Sequence, residues 1–244
     1  DKTKEKDGHE GLDFNKEIDK MAKSNRLYSV VKAFSELNLD PETVDNMKMG
    51  YMFEDIIRRY STNAEAGDHY TPREVIKLLV NILLSEGSED LHQEGKVTTV
   101  LDMACGTGGM LSTAYQFLKQ INPKMDIKLF GQEVNGESYA ICLSDMMIKG
   151  QDAKNIQFAD TMKKDAFPNQ SMRMVIANPP FGQAWGGKDA GEGVEKAVKA
   201  EHAKKPDGRF PAGLPGTGDM QLLFIQHAMA KLDKNGRAAI LENG

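Results

Sequence analysis

Apolar residues in the first part of the chain recur at intervals of three and four, the spacing that places them on one face of an α-helix. Phe14, Ile18 and Met21 follow this spacing, and a second series starts at Leu27. No strand-like alternation interrupts residues 1–65. The pattern therefore predicts an N-terminal helical domain over residues 1–65.

A further helix is predicted directly after this region. Thr71 stands before Pro72, and proline is favoured at the first position of a helix, where a threonine ahead of it can act as the cap. Apolar residues then follow at helical spacing, among them Ile76, Leu79 and Leu83. We expect a helix that begins at Pro72 and is capped by Thr71.

From Lys96 onward, short continuous apolar runs alternate with longer segments of helical periodicity. The predicted strands are 97–101, 128–131, 155–158, 174–177 and 237–241, and the predicted helices between them are 109–121, 137–148 and 221–232. Strand–helix alternation with continuously apolar strands is typical of a parallel sheet covered on both faces. The predicted fold class is α/β, with a doubly wound, mostly parallel Rossmann-like sheet preceded by the helical domain.

Composition narrows the class of protein. The 244 residues are 40% hydrophobic and 27% charged, with a formal net charge of -5 at pH 7. This charge argues against a protein that holds nucleic acid by a general basic surface, but it leaves room for a local basic groove or a partner that supplies the grip. No apolar run approaches the ~20 residues that span a membrane.

The two cysteines, Cys105 and Cys142, are too few for a disulfide framework and lack the spacing of a metal site. The charged start of the chain lacks the apolar core of a signal peptide. These features predict a cytoplasmic protein with no metal centre and no membrane partner.

A glycine-rich loop is the first candidate for chemistry. Residues 102–109 follow a predicted strand and open a predicted helix, and their glycines let the backbone turn tightly and approach a ligand. The spacing is neither that of a Gly-x-Gly-x-x-Gly loop nor that of a nucleotide triphosphate P-loop. Asp102 would repel a pyrophosphate, so it suits a ligand with a positive charge, such as a sulfonium or an amino group.

Acidic residues end the next two predicted strands. A carboxylate at Glu133 can accept hydrogen bonds from a ribose diol, and one at Asp160 can accept from an amino group on a ring. Each acid alone is also compatible with a solvated loop residue. Acids that end three successive strands, with Asp102 as the first, indicate a shared ligand site.

The run Asn178, Pro179, Pro180 and Phe181 ends the predicted strand over 174–177. Prolines cannot donate to a sheet ladder, so the strand must stop there in a stiff elbow. The elbow brings a carboxamide, a free carbonyl and an aromatic ring together, groups that could grip a flat, amino-bearing base. A rigid turn without further function is the alternative.

The order of these motifs resembles that of S-adenosylmethionine-dependent DNA adenine N6-methyltransferases, and it is similar to the modification subunit of type I restriction–modification systems. The resemblance rests on Tyr70-Thr71-Pro72, the loop 102–109, Glu133, Asp160 and the elbow 178–181, and it covers roughly residues 45–244. It implies that the Rossmann-like sheet is a methyltransferase sheet occupying residues 66–244. It also implies that the sequence is a piece of a longer protein, lacking part of the helical domain and the end of the sheet.

The resemblance assigns a set of residues to the cofactor S-adenosylmethionine: Tyr70, Thr71, Pro72, Asp102, Ala104, Cys105, Gly106, Thr107, Gly108, Gly109, Glu133 and Asp160. The first three would lie against its methionine end, and the glycine loop would wrap the amino acid and the sulfonium. Glu133 would hold the ribose and Asp160 the adenine.

The resemblance assigns the chemistry to the elbow. Asn178 and the carbonyl of Pro179 would accept both hydrogens of the target amine, Pro180 would stiffen the elbow, and Phe181 would stack on the flipped base. The implied partners are double-stranded DNA, a specificity subunit and a restriction (helicase–nuclease) subunit.

Two other classes share part of the pattern. A methyltransferase acting on RNA or protein shares the glycine loop and the Asn-Pro-Pro-aromatic run, although it does not need the helical leader. A dinucleotide-binding oxidoreductase shares the fold. The stretch 182–218, which mixes lysines with acids, admits either a solvated flexible loop or a lid that orders on DNA or a partner. Trp185 within it is either a packed anchor or a stacking surface.

Overall fold

The structure is a computed structural model. It describes the chain in several ranges, which are 14–40, 42–45, 48–52, 55–56, 71–85 and 89–243. Tyr70, one of the residues assigned to the cofactor by resemblance, lies outside these ranges. In the described part of the chain, no helix is long enough and apolar enough to span a membrane.

Five parallel strands form one sheet. They are β1 (Val97–Asp102), β2 (Asp126–Glu133), β3 (Ile156–Phe158), β4 (Met172–Ala177) and β5 (Leu232–Ile240). The spatial order is β3-β2-β1-β4-β5, so the direction in which the sheet grows reverses between β1 and β4. Such a reversal leaves a crevice beyond the carboxyl ends of the two strands, where open α/β sheets bind ligands.

Seven helices have both ends within the described residues. They are α1 (Phe14–Lys23), α2 (Leu27–Ser35), α3 (Arg73–Leu84), α4 (Gly109–Ile121), α5 (Gly136–Ile148), α6 (Val194–Ala203) and α7 (Gln221–Lys231), with a 3₁₀ turn at Glu89–His92. α1 and α2 are helical as predicted and contact each other. The predicted α/β class with a parallel sheet is confirmed.

The sheet is covered on both faces because neighbouring residues of a strand point to opposite sides. In β1, Val100 packs into the cluster formed with α3, α4 and α5, whereas Leu101 packs into the cluster formed with α6 and α7. In β4, Ile176 and Val175 divide in the same way. All six residues of β4 are buried, as expected for a central strand of a doubly wound sheet.

The element boundaries differ from the prediction mainly at strand ends. β5 starts at Leu232 and follows α7 directly, whereas the apolar pattern predicts a strand only from 237 onward. The first half of β5 is polar and pairs irregularly, with a register shift opposite Met172 and Met174. Apolar patterning cannot detect a strand segment whose side chains are solvated.

The predicted capping role of Thr71 is wrong. The N-cap of α3 is Pro72, and no side chain makes a capping hydrogen bond to this helix. The Thr71 hydroxyl oxygen instead accepts a hydrogen bond from the side chain of Asn178, at the end of β4.

The interpretation of residues 182–218 as a solvated loop is also wrong. This stretch contains α6, and its apolar side chains Trp185, Val198 and Phe210 are buried against the sheet. Trp185 is a packed anchor, since it is 2% exposed and its indole N–H donates to the carbonyl of Gly216 at 3.0 Å.

Candidate active site

A cavity of about 600 Å³ lies at the carboxyl ends of the strands, where the order of the sheet reverses. Its volume is within the usual range for small-molecule sites. Most of the residues assigned by resemblance line it, namely Thr71, Asp102, Ala104, Cys105, Gly106, Thr107, Gly109, Glu133, Asp160, Asn178, Pro180 and Phe181. Pro72, Gly108 and Pro179 do not line it. The structure thus brings three strand-end acids and the proline elbow to one space.

Part of the cavity wall comes from the second half of the chain. Residues of this wall that the sequence did not point to include Gln183, Ala184, Gly191, Val194, Met220 and Phe224. Phe224 lies in the predicted helix 221–232 and Val194 has an apolar neighbour at helical spacing, but the others lie in a stretch without periodicity. Their place in the site depends on how the chain after the elbow folds back over the sheet, which local patterns do not encode.

The glycine loop has the backbone conformation that its composition predicts. Gly106 and Gly108 have φ values of 53° and 84°, in the left-handed region that disfavours other residues. A Cβ on Gly108 would lie 2.6 Å from the sulfur of Cys142 on α5. Gly108 is therefore required for close packing of the loop on that helix, although it does not face the cavity itself.

Asp102 is a buried carboxylate at the floor of the cavity, with 0% of its surface exposed. Oδ1 accepts a hydrogen bond from the backbone N–H of Ala104 at 3.1 Å, and Oδ2 has no partner within the described residues. Burial raises the pKa of Asp102 to about 7, opposed by the Ala104 N–H and reinforced by the charge of Glu133. A cation in the cavity would stabilise the ionised form of this group.

The two other acids already accept backbone hydrogen bonds. Glu133 accepts from the N–H of Gly106 at 2.8 Å with one oxygen and from that of Asn135 at 2.6 Å with the other. Asp160 Oδ1 accepts from the N–H of Met162 at 2.9 Å. Because a carboxylate offers about four lone-pair sites, both acids retain acceptor capacity toward a ligand.

Asn178 lines the cavity and carries a buried acceptor oxygen. Its Nδ2 donates to the hydroxyl of Thr71 at 3.0 Å, while Oδ1 is buried without a hydrogen-bond partner among the described residues. An unpartnered buried amide oxygen is energetically costly, and a ligand with an N–H group would satisfy it. Phe181 lines the cavity with half of its surface exposed, so one side of the ring is accessible for stacking.

The two cysteines are buried and free. A hydrogen bond with Cys142 and burial raise the pKa of Cys105 well above its usual value, so the Cys105 sulfur remains a thiol. A thiol that is not ionised is a poor nucleophile. Cys105 therefore contributes packing and shape to the cavity.

The chain is similar to several known proteins. The chain is 25% identical over 226 residues to the type I restriction enzyme MjaIX methylase subunit of Methanocaldococcus jannaschii, a match that covers 90% of this chain and 37% of that protein. It is 26% identical over 230 residues to the EcoEI methylase subunit of Escherichia coli, covering 91% of this chain and 41% of that protein. The chain thus spans about two fifths of the length of these relatives.

Solved structures share the fold. The type I restriction-modification system methyltransferase subunit of Streptococcus thermophilus superposes with a TM-score of 0.70 at 23% identity, covering 89% of this chain and 43% of that one. A structure described as concerning assembly and conformational transition of the type I R-M system gives a TM-score of 0.64 at 25% identity, covering 89% and 41%. A protein of Listeria monocytogenes described as a class I S-adenosylmethionine-dependent methyltransferase gives a TM-score of 0.65 at 18% identity, covering 89% of this chain and 59% of that one.

The family model described as N-6 DNA Methylase matches residues 44–244, which include the cavity and every sheet strand. Because this match extends over most of the sequence, the chain belongs to the N-6 DNA methylase family.

Proposed function

We propose that this chain is the catalytic region of a DNA adenine N6-methyltransferase that uses S-adenosylmethionine. The observation that carries the proposal is a pair of buried, unsatisfied oxygens on residues that line one cavity, Oδ2 of Asp102 and Oδ1 of Asn178. The first suits the positive charge of the cofactor, and the second suits the N–H group of an amine. Family membership and the names of the relatives support the same reaction.

The cavity residues fit the cofactor. The glycine loop gives close backbone approach, and the buried carboxylate of Asp102 offers a counter-charge that no described side chain satisfies. Glu133 and Asp160 retain acceptor sites for the ribose hydroxyls and the adenine amine. When bound, S-adenosylmethionine supplies a methyl group on a sulfonium, which needs no metal for activation.

Thr71 lines the same cavity and would lie toward the methionine end of the cofactor, together with Tyr70 and Pro72. These three roles derive from the family resemblance. Pro72 does not line the cavity, so of the three it would act indirectly, as the N-cap that begins α3.

The elbow would orient the target amine. An exocyclic amine is a poor nucleophile because its lone pair is delocalised into the ring. An acceptor at Asn178 Oδ1 would hold one of its hydrogens and direct the lone pair toward the methyl group, a contribution of positioning and electrostatics. The second acceptor, the Pro179 carbonyl, is assigned by the family resemblance alone, since Pro179 does not line the cavity. Asn178 is a neutral amide without a basic atom, so it orients the amine and does not take up the proton that methylation releases.

The target base must leave the duplex to reach the cavity, at a cost of roughly a few kcal/mol. The accessible ring of Phe181 could return ~1–3 kcal/mol of this by stacking. The net charge of -5 argues against a general basic surface on the chain. We therefore propose that the grip on double-stranded DNA, and its sequence specificity, comes from a specificity subunit in a complex that also holds a restriction subunit.

The domain division belongs to the same proposal. Residues 1–65 would form a helical domain and residues 66–244 the methyltransferase domain. The described helices α1 and α2 support the first part, and the five-stranded sheet supports the second.

The decisive variant is Asn178→Ala. It should abolish methyl transfer to adenine in DNA while S-adenosylmethionine binding, measured by isothermal titration calorimetry, is largely retained. Asn169→Ala, at an exposed position outside the cavity, is the matched control. The transfer assay is run with a specificity subunit present, and normal turnover in the Asn178 variant would contradict the assignment.

The alternative functions are tested by separate experiments. Offering RNA and protein substrates in the same transfer assay tests the other methyltransferase classes. Thermal protection by NAD in place of S-adenosylmethionine would instead indicate a dinucleotide oxidoreductase.

A further inference from the structure

We infer that Thr71 is a positioning residue that sets which end of the Asn178 carboxamide faces the cavity. The catalytic consequence of this inference rests on the proposed function, whereas the orientation of the amide does not. The family resemblance gives Thr71 only a contact with the cofactor, and nothing in that assignment links it to the elbow.

A carboxamide has a donor end and an acceptor end of nearly equal shape, and rotation about its last side-chain bond exchanges them. Only the orientation with Oδ1 in the cavity can accept the hydrogens of an amine. The other orientation would direct N–H groups at the N–H groups of the target. The side chain of Asn178 therefore needs a partner that distinguishes its two ends.

Thr71 provides such a partner. Its Oγ1 lies 3.0 Å from Nδ2 of Asn178 and accepts the amide hydrogen. This leaves Oδ1 buried and free of partners within the described ranges. The two residues are 107 positions apart in the chain, so the contact is a property of the tertiary structure.

The hydroxyl is held on a rigid support. Thr71 is 9% exposed and stands just before α3, which buries Ile76 and Val80 against the sheet. At the start of the same helix, the guanidinium of Arg73 donates to the side-chain oxygen of Gln116 on α4 at 2.5 Å. The helix thus fixes the position of the hydroxyl relative to the end of β4.

The test compares Thr71→Val, which has nearly the same shape without the hydroxyl, with Thr71→Ser, which keeps the hydroxyl. In the isotope-labelled chain, the side-chain amide signals of Asn178 are assigned by their loss in Asn178→Asp. We expect Thr71→Val to shift this pair of signals and to accelerate their exchange with water, and Thr71→Ser to restore them toward the wild-type positions.

Thr98→Val is the matched control. Thr98 is also buried, its hydroxyl has no hydrogen-bond partner in the described part of the chain, and it lies near the amino end of β1, opposite the cavity. The same chemical change at this position should leave the Asn178 signals unchanged.

Kinetic measurements distinguish a role of Thr71 in positioning Asn178 from a role in contacting the cofactor. With DNA and a specificity subunit, Thr71→Val should lower the single-turnover transfer rate by roughly 10- to 100-fold, the size of effect expected from a misplaced reacting group. Its dissociation constant for S-adenosylmethionine should change by less than about twofold, because valine keeps nearly the same shape against the cofactor and the lost hydrogen bond is internal to the protein. Thr71→Ser should recover most of the rate.

Unchanged Asn178 signals in a folded Thr71→Val chain would overturn the inference, and so would weaker cofactor binding without a change in those signals. If Thr71→Val does not fold, the inference is tested by comparing the Asn178 side-chain amide signals of Thr71→Ala and Thr71→Ser. A wild-type chain that transfers no methyl group would count against the proposed function alone, since the amide signals report the orientation without any turnover.

Discussion

The carboxylate of Glu133 holds the glycine loop in place by accepting a hydrogen bond from the backbone N–H of Gly106 at 2.8 Å. Its second oxygen accepts from the N–H of Asn135, the residue that caps α5. One side chain at the end of β2 therefore joins the loop after β1 to the start of the next helix. Glu133 is part of the scaffold of the site before any ligand reaches it.

Replacing Glu133 with Gln should loosen the loop. A glutamine side chain has one acceptor oxygen, so one of the two backbone N–H groups loses its partner. A hydrogen bond to a charged group is worth about 1.5–3 kcal/mol. We expect a melting temperature several degrees lower and weaker binding of S-adenosylmethionine, measured by thermal unfolding and by calorimetry.

Glu137→Gln is the control for this change. Glu137 is exposed in the first turn of α5, close to Glu133 in the chain, and it does not line the cavity. It tests whether the loss of a negative charge near the site is by itself sufficient to lower the melting temperature and weaken cofactor binding. If both variants behave like the wild-type chain, the loop does not depend on the Glu133 hydrogen bonds.

Gly108→Ala should damage the loop by two separable mechanisms. The left-handed φ of 84° strains any residue with a Cβ, by about 1–2 kcal/mol. In addition, the new methyl group would meet the sulfur of Cys142 at 2.6 Å. We expect a loss of stability larger than the strain alone, together with weaker cofactor binding, measured by chemical denaturation and calorimetry.

Two further variants divide these mechanisms. Gly95→Ala introduces the same left-handed strain at a φ of 69°, where a Cβ would meet nothing within 4 Å. Cys142→Ala removes the clashing sulfur, so the double variant with Gly108→Ala should be more stable than the sum of the single changes predicts. Additive effects in this cycle would mean that the clash is relieved in another way.

The sequence predicts α4 without error, from 109 to 121, because a glycine loop opens it and apolar periodicity continues to its end. It also predicts that Asp102, Glu133 and Asp160 share one site, since the carboxyl ends of parallel strands meet at one edge of the sheet. The helix bounds and the meeting of the three acids at one cavity are confirmed, because this information is local or follows from the topology. Binding of a ligand by these acids stays a prediction.

Arg209 shows where such reasoning stops. Its place among mixed charges suggests a solvated side chain, yet it is 7% exposed. Its guanidinium donates to the carbonyls of Thr161 at 2.6 Å and Met162 at 3.0 Å, in the loop that carries Asp160. The pairing joins segments nearly fifty residues apart, so neither periodicity nor charge pattern could predict it.

Asp102 should couple stability to pH. Its pKa is about 7 in the folded chain, against an ordinary value of 3.8. Between these values the folded chain retains a proton that the unfolded chain has lost, so stability falls as pH rises from the lower value to the higher one. Asp102→Asn removes this titration. Its melting temperature relative to the wild-type chain should therefore be higher at about pH 8 than at about pH 5.

The same variant should bind S-adenosylmethionine less well, because the amide offers no counter-charge to a cation. A stability gain accompanied by lost binding is the expected cost of a buried functional charge. Asp126→Asn, on the exposed amino end of β2, controls for the loss of one carboxylate. A pH-independent difference between Asp102→Asn and wild type would show that Asp102 is ionised throughout this range in the folded chain.

Phe181 should matter for the target base and hardly at all for folding. Half of its surface is exposed, so Phe181→Ala removes little buried area and should leave the melting temperature nearly unchanged. Stacking on an aromatic side chain is worth about 1–3 kcal/mol per base, so affinity for DNA with a flipped base should fall by roughly 5- to 150-fold. Fluorescence of 2-aminopurine at the target position, with a specificity subunit present, measures this directly.

Phe181→Tyr should restore binding because it keeps the ring, whereas Leu222→Ala, an equally exposed apolar position on α7, should have no effect. Equal base flipping by Phe181→Ala and wild type would exclude a stacking role, and the ring would then serve only to close the proline elbow.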